Sequence, residues 1–133
     1  MDRISQLLRD TRVLSGTSLK ISYTNGQATI SFPSGRSQVI YIREANGRYQ
    51  LTSRVVGSAR VGNIGLAAVA RMIWARNRST DVVEFAIDEL GRLVGRIEHV
   101  TESLDRAELE AYLIALAQEC DRFEYVLTGR DQM

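Results

Sequence analysis

Two Asn-Gly pairs, each set between runs of alternating apolar and polar residues, constrain this chain more than any other feature of it. Asn and Gly tolerate the positive φ angles of the tight turn whose twist matches two paired strands, so Asn25-Gly26 and Asn46-Gly47 each predict a β-hairpin. Leu19, Ile21 and Tyr23 alternate before the first turn, and Ala28, Ile30 and Phe32 alternate after it. Pro33-Ser34-Gly35 then breaks the chain, and the β-branched and aromatic run Val39-Ile40-Tyr41-Ile42 follows. The second turn leads into Tyr49-Gln50-Leu51-Thr52, and that pattern continues through Val55 and Val56 to Gly57. Four successive antiparallel strands are expected. A further hairpin is expected where Val83, Phe85 and Ile87 alternate, Asp88-Glu89-Leu90-Gly91 turns, and Leu93 and Ile97 resume.

Helical spacing surrounds these strands. Ile4, Leu7, Leu8 and Thr11 predict a short amphipathic helix over residues 2–14 that ends near Gly16. Asn63 is the expected N-cap of a second helix over 64–77, with Leu66, Val69, Ala70 and Ile73 as its core stripe. Its far side is also apolar. Ile64, Ala68, Met72 and Ala75 lie there, Trp74 borders the stripe, and only Arg71 and Arg76 interrupt the circumference. A helix that is apolar nearly all round demands burial on two sides. Asp105 with Glu108 forms a capping-box pattern that opens the longest helix, 106–127. Its core face is Leu109, Tyr112, Leu113, Leu116, Cys120, Phe123 and Leu127, and Gly129 is the expected stop.

The order is therefore α-β-β-β-β-α-β-β-α. Segregated hairpins and helices indicate the α+β class, a twisted antiparallel sheet flanked by helices, rather than the alternating units of a parallel sheet. At 133 residues, one domain spanning 1–133 with one core is expected. The charged N-terminus offers no apolar run for a signal peptide, and no stretch approaches the ~18 apolar residues of a membrane span. A single cysteine cannot form an internal disulfide, so the cytoplasm is the expected location and no membrane association is expected.

A net charge of +1 conceals three unequal blocks. Residues 1–35 carry four basic and two acidic groups, whereas 36–78 carry eight arginines against Glu44 alone. Residues 79–133 reverse this, with thirteen carboxylates against five arginines. The expectation is that the two oppositely charged halves complement each other, within the chain or across a dimer.

Residues able to carry chemistry are sparse. His99 is the only histidine and Cys120 the only cysteine, so no three- or four-ligand metal set can be assembled from them, and Cys120 belongs to an apolar stripe that would raise its pKa. Gly57, Gly62 and Gly65 lack the pattern of a phosphate-binding loop. The carboxylates at 108, 110, 119, 121 and 124 are expected on a solvated helix face. No catalytic, metal or cofactor-binding residue is assigned; a binding protein rather than an enzyme is expected, with no cofactor.

The order of elements resembles the type III secretion chaperone-like fold, and the YbjN-like proteins are its nearest branch. The resemblance is carried by Asp81-Val82-Val83-Glu84-Phe85-Ala86-Ile87-Asp88-Glu89-Leu90-Gly91-Arg92-Leu93-Val94, by Ser103-Leu104-Asp105, and by Cys120-Asp121-Arg122-Phe123-Glu124 in the long final helix. It implies a homodimer that holds partly unfolded polypeptide segments and uses the second helix as dimer contact. The expected dimer or partner interface is Ile64, Ala68, Arg71, Met72, Trp74 and Ala75. A competing expectation rests on Arg36, Arg43, Arg48, Arg54 and Arg60, with Tyr41 and Tyr49 nearby. Basic groups interleaved with aromatics offer a surface to an acidic partner, and a regulator associated with nucleic acid through 36–78 is the alternative.

Overall fold

The computed structural model describes residues 2–128. One antiparallel sheet of six strands organises it: β1 (Lys20–Thr24), β2 (Gln27–Ser31), β3 (Ser37–Ala45), β4 (Arg48–Val56), β5 (Glu84–Ile87) and β6 (Leu93–Val100), in spatial order β1-β2-β3-β4-β6-β5. The Asn-Gly turns do what their chemistry dictates: Asn25 and Asn46 adopt positive φ angles of 49° and 56°, and Thr24↔Gln27 and Ala45↔Arg48 close the two hairpins. The third hairpin is inserted beside β4, so β6 is internal and β5 forms an edge.

The long helix α4 (Arg106–Thr128) packs across β3, β4 and β6. Its buried residues Leu109, Leu113, Leu116, Cys120 and Phe123 recur at alternate steps of four and three, which holds them on one side of the helix. They meet the inward residues of the strands, among them Ile40, Leu51, Phe85 and Ile97, in one apolar cluster. Each such side chain contributes roughly 1.5–3 kcal/mol by leaving water. The capping box forms as expected: the Glu108 amide donates to Asp105 Oδ1 at 2.7 Å and the Asp105 amide to Glu108 Oε1 at 3.1 Å. Gly129, the expected stop of this helix, lies outside the described residues.

Two helical expectations are corrected. The first helix, α1, spans only Arg3–Leu7, capped by Asp2, whose carboxylate accepts from the Ser5 amide at 2.7 Å. Asp10 then takes φ 60°, and residues 12–14 run back along β1, with Val13 bridging Lys20 and the Ile21 amide donating to Arg12 O. Thr11 continued the helical spacing by coincidence. The second helix is two: α2 (Ser58–Ile64), starting from Gly57 rather than Asn63, and α3 (Leu66–Ser79). Gly65 divides them at φ 105°, ψ 127°, a conformation that a side chain would strain. The break re-aims α3, so that Val69 is buried and Ile73 half-buried, while Leu66 and Ala70, expected in the core, are exposed.

Candidate functional site

α3 leaves several apolar side chains in water around its outer side. Leu66 is 61% exposed, Trp74 63% and Met72 36%. Ala67, Ala70 and Ala75 are exposed between them, and Arg71 is exposed at their edge. Of the residues expected at this interface, Arg71, Trp74 and Ala75 share that outer side, Met72 flanks it, Ala68 is half-buried, and Ile64 ends α2 packed partly against the core. The Arg78 guanidinium lies 4.5 Å from the Trp74 ring centroid and holds the indole along the helix. On the inward side Arg76 stacks 4.8 Å above Phe123 and pairs with Glu119 at 3.9 Å, which orients α3 against α4.

The two sheet edges differ. At β5, Asn77 of α3 imitates a neighbouring strand: the Phe85 amide donates to its Oδ1 at 2.8 Å, and its Nδ2 donates to Phe85 O at 3.0 Å. Thr80 Oγ1 donates to Val83 O at 2.7 Å, so this edge is occupied along Val83–Phe85. At β1 the 12–14 segment covers residues 19–21 only. In an antiparallel hairpin closed at Thr24↔Gln27, the N–H and C=O of Tyr23 point away from β2, as those of Ile21 do. A groove between α1 and this strand runs beside them, lined by Leu8, Arg9, Arg12, Ile21 and Tyr23.

The five arginines expected to form one acidic-partner surface are divided. Arg43, Arg48 and Arg54 stand on the sheet face opposite α4, with Tyr41, which is 53% exposed. Arg36 turns to α4, where Asp121 accepts at 2.9 Å and Glu124 lies at 3.8 Å. Arg60 belongs to α2, and Tyr49 is buried in the core on the other face. Arg48 pairs with Glu98 at 3.6 Å, and Arg43 donates to Gln50, which donates to Glu98. The opposite charges of the two halves are thus matched in part within one chain.

His99 is held at the end of β6 by the Tyr112 hydroxyl at 2.6 Å from Nδ1 and by Ser103 Oγ at 2.9 Å from Nε2. Burial, then Glu108 and Asp105, push the Tyr112 phenol up, which keeps it neutral. Cys120 is wholly buried and burial pushes its thiol up to about 12, so it is a core residue without nucleophilic character. Among the described residues, no three His, Cys, Asp or Glu side chains are grouped to hold a metal ion, and no helix is long and apolar enough to cross a membrane. Glu110 corrects the expectation of a wholly solvated acidic face: it is buried, accepting from the Ser15 amide at 2.7 Å and from Arg106 Nε at 2.9 Å.

No family model and no curated protein matches the chain. Three solved structures superpose along nearly its full length. A chain of the ExsC–ExsE complex aligns with a TM-score of 0.60 at 20% identity, covering 96% of this chain and 97% of that one. The Yersinia pestis type III secretion chaperone SycH, in complex with a stable fragment of YscM2, aligns at 0.55 and 14%, covering 90% and 98%. The HopA1–SchA chaperone–effector complex gives 0.52 and 13%, covering 93% and 98%. The fold is that of the type III secretion chaperones. Within this secretion-chaperone fold the sequence had not marked Leu66, the Tyr23 edge or Glu110. Gly62-Asn63-Ile64-Gly65 did contain a signal for the break that exposes Leu66, whereas an unpaired strand edge leaves no short-range signature.

Proposed function

We propose that this chain is a non-enzymatic protein-binding module of the secretion chaperone-like class, a single domain acting in the cytoplasm as a homodimer that holds a polypeptide client. The observation that carries the reading is the apolar surface that α3 leaves in water, with Trp74 on its outer side and Leu66 and Met72 exposed on opposite flanks. A second copy joined through α3 satisfies it, with Ala67, Ala70 and Ala75 allowing two helices to approach closely. The open end of β1 supplies unpaired backbone groups beside a groove whose wall mixes Leu8, Ile21 and Tyr23 with Arg9, Asp10 and Arg12, which an extended segment of a client can use. The neighbouring folds, solved in complexes with ExsE, a YscM2 fragment and HopA1, support a polypeptide as the client. Placement in the YbjN-like branch rests on the sequence of the β5–β6 hairpin and the capped α4.

Trp74 is the only tryptophan and stands inside the proposed interface, so its emission reports the contact directly. Dilution from about 50 µM to about 50 nM should move the emission to longer wavelength as the dimer dissociates. Emission that is red-shifted and unchanged across that range contradicts the proposal.

A further inference from the structure

The two Asn-Gly turns differ in what holds them. Each places its asparagine in solvent at positive φ, and each is fastened through the glycine carbonyl to the chain beside it. The Ile42 amide donates to Gly26 O at 2.8 Å; the Thr101 amide donates to Gly47 O at 3.0 Å, joined by Thr101 Oγ1 at 3.1 Å. The glycine amides are treated unequally. Gly26 N–H donates to the Tyr23 hydroxyl at 3.1 Å, whereas among the described residues no acceptor meets the Gly47 N–H.

Their surroundings reinforce the contrast. Gly26 is half-buried, and a Cβ placed on it would meet Ile42 O at 3.1 Å, so β3 leaves the first turn little room to distort. Gly47 is exposed, and a Cβ there would meet nothing within 4 Å. Burial, then the charge of Asp2, push the Tyr23 phenol up, so the hydroxyl that holds Gly26 stays protonated in mildly alkaline solution.

An asparagine followed by glycine sets an electrophile, its side-chain amide carbon, close to a nucleophile, the next backbone nitrogen, which glycine leaves unshielded. At the second turn the Gly47 nitrogen gives up its proton and bonds to Asn46 Cγ; the Cγ–Nδ2 bond breaks, and Nδ2 leaves as ammonia with that proton. The cyclic imide so formed takes up water. Opening at the side-chain carbonyl restores an ordinary backbone with aspartate at 46. Opening at the main-chain carbonyl leaves isoaspartate, whose chain runs through Cγ and is one carbon longer. One water is consumed and one ammonia released, with no change of oxidation state. A glycine N–H that already donates must first break its hydrogen bond, and that requirement falls on Gly26 and not on Gly47.

We infer that Asn46 is a site of spontaneous deamidation, converting to aspartate and isoaspartate, and that the Tyr23 hydroxyl protects Asn25 from the same reaction. The longer isoaspartyl chain displaces Gly47 O from Thr101 and frees the turn from the segment that leads β6 into α4. The test is peptide mapping by mass spectrometry of the purified protein aged in warm, mildly alkaline buffer; trypsin places the two sites on separate peptides, 44–48 and 21–36. In the folded protein the 44–48 peptide should convert about fivefold faster or more, the factor that one net hydrogen bond supplies. In urea the two rates should agree within about twofold, because the hydrogen bonds are gone. Tyr23→Phe should accelerate conversion of Asn25 about fivefold and leave that of Asn46 within about twofold. The Thr101 amide should lose exchange protection in step with conversion at 46 and keep it in Asn46→Gly, whose paired glycines suit the same turn. Equal rates in the folded protein, a difference that persists in urea, Thr101 protection that outlasts the conversion, or a folded Tyr23→Phe protein with no faster reaction at Asn25 overturns the inference. Where Tyr23→Phe does not fold, the wild-type rates with and without urea decide it alone.

Discussion

At residue scale, Gly95 and Glu110 show how tightly α4 is bound to its surroundings. A Cβ on Gly95 would meet Cys120 Sγ at 2.6 Å, Phe85 Cε1 at 3.1 Å and Leu116 Cδ1 at 3.2 Å. The Phe85 and Phe123 rings beside it already pack edge to face at 5.0 Å. Gly95→Ala should therefore destabilise by about 1–3 kcal/mol in urea melts, the usual cost of overpacking. Adding Cys120→Ala should recover part of that loss by removing the nearest obstacle; additive losses would mean that the clash is relieved elsewhere. Glu110 makes a pH-dependent contribution. Burial works to raise its pKa, but the Ser15 amide and Arg106 outweigh burial and hold the carboxyl below its ordinary value. The ionised form is thus the one folding favours, and its stabilisation is complete above the ordinary carboxylate range and lost as pH falls through the lowered value. Glu110→Gln should cost about 1–3 kcal/mol at neutral pH, with the gap narrowing in urea melts near pH 3. A gap of constant size would refute this account of the 11–15 segment.

At the scale of elements, the closed edge at β5 and the divided second helix matter most. Asn77→Ala removes both hydrogen bonds to Phe85 and should destabilise by about 1–3 kcal/mol. The Phe85 amide should then exchange faster with solvent than in the wild type, and unchanged exchange would show that the edge is held by packing alone. The strands were legible because their determinants are local: Asn-Gly specifies its turn from two residues, and the alternation of Val83, Phe85 and Ile87 reports a sheet face directly. The long α4 was legible for the same reason, through its capping box and its steps of three and four. The extent of α1 and the start of α2 were not. Asp10 turns the chain at positive φ beyond α1, and α2 begins after Gly57 and is parted from α3 at Gly65, backbone changes that side-chain spacing does not report. The surfaces were half legible. The apolar excess on residues 64–77 was visible as composition, but which side of α3 faces out follows only once Asn77 and Arg76 fix its roll against β5 and α4. The arginines read as one basic stretch because sequence distance does not show that Arg36 faces Asp121, 85 positions away.

For the whole molecule, charge and apolar surface follow different logics. The acidic C-terminal half meets basic groups of the first half through Arg36 with Asp121 and Glu124, through Arg76 with Glu119, and through Arg48 with Glu98, so much of the sequence asymmetry is matched inside one protomer. Such partly exposed pairs contribute little individually, about 0–1 kcal/mol; Arg36 ties the chain just before β3 to α4, Arg76 ties α3 to α4, and Arg48 ties β4 to β6. Leu66 and Met72 stay exposed on α3, and Trp74 has the Arg78 guanidinium over its ring and is otherwise open to water; the proposed second chain rests on that apolar surface. Static light scattering of the purified protein at about 50 µM tests this most directly, because it weighs the particle in solution. The mass of two chains, falling to that of one in Met72→Glu with the circular dichroism spectrum unchanged, is the predicted result; a wild-type protein with the mass of one chain would contradict the account.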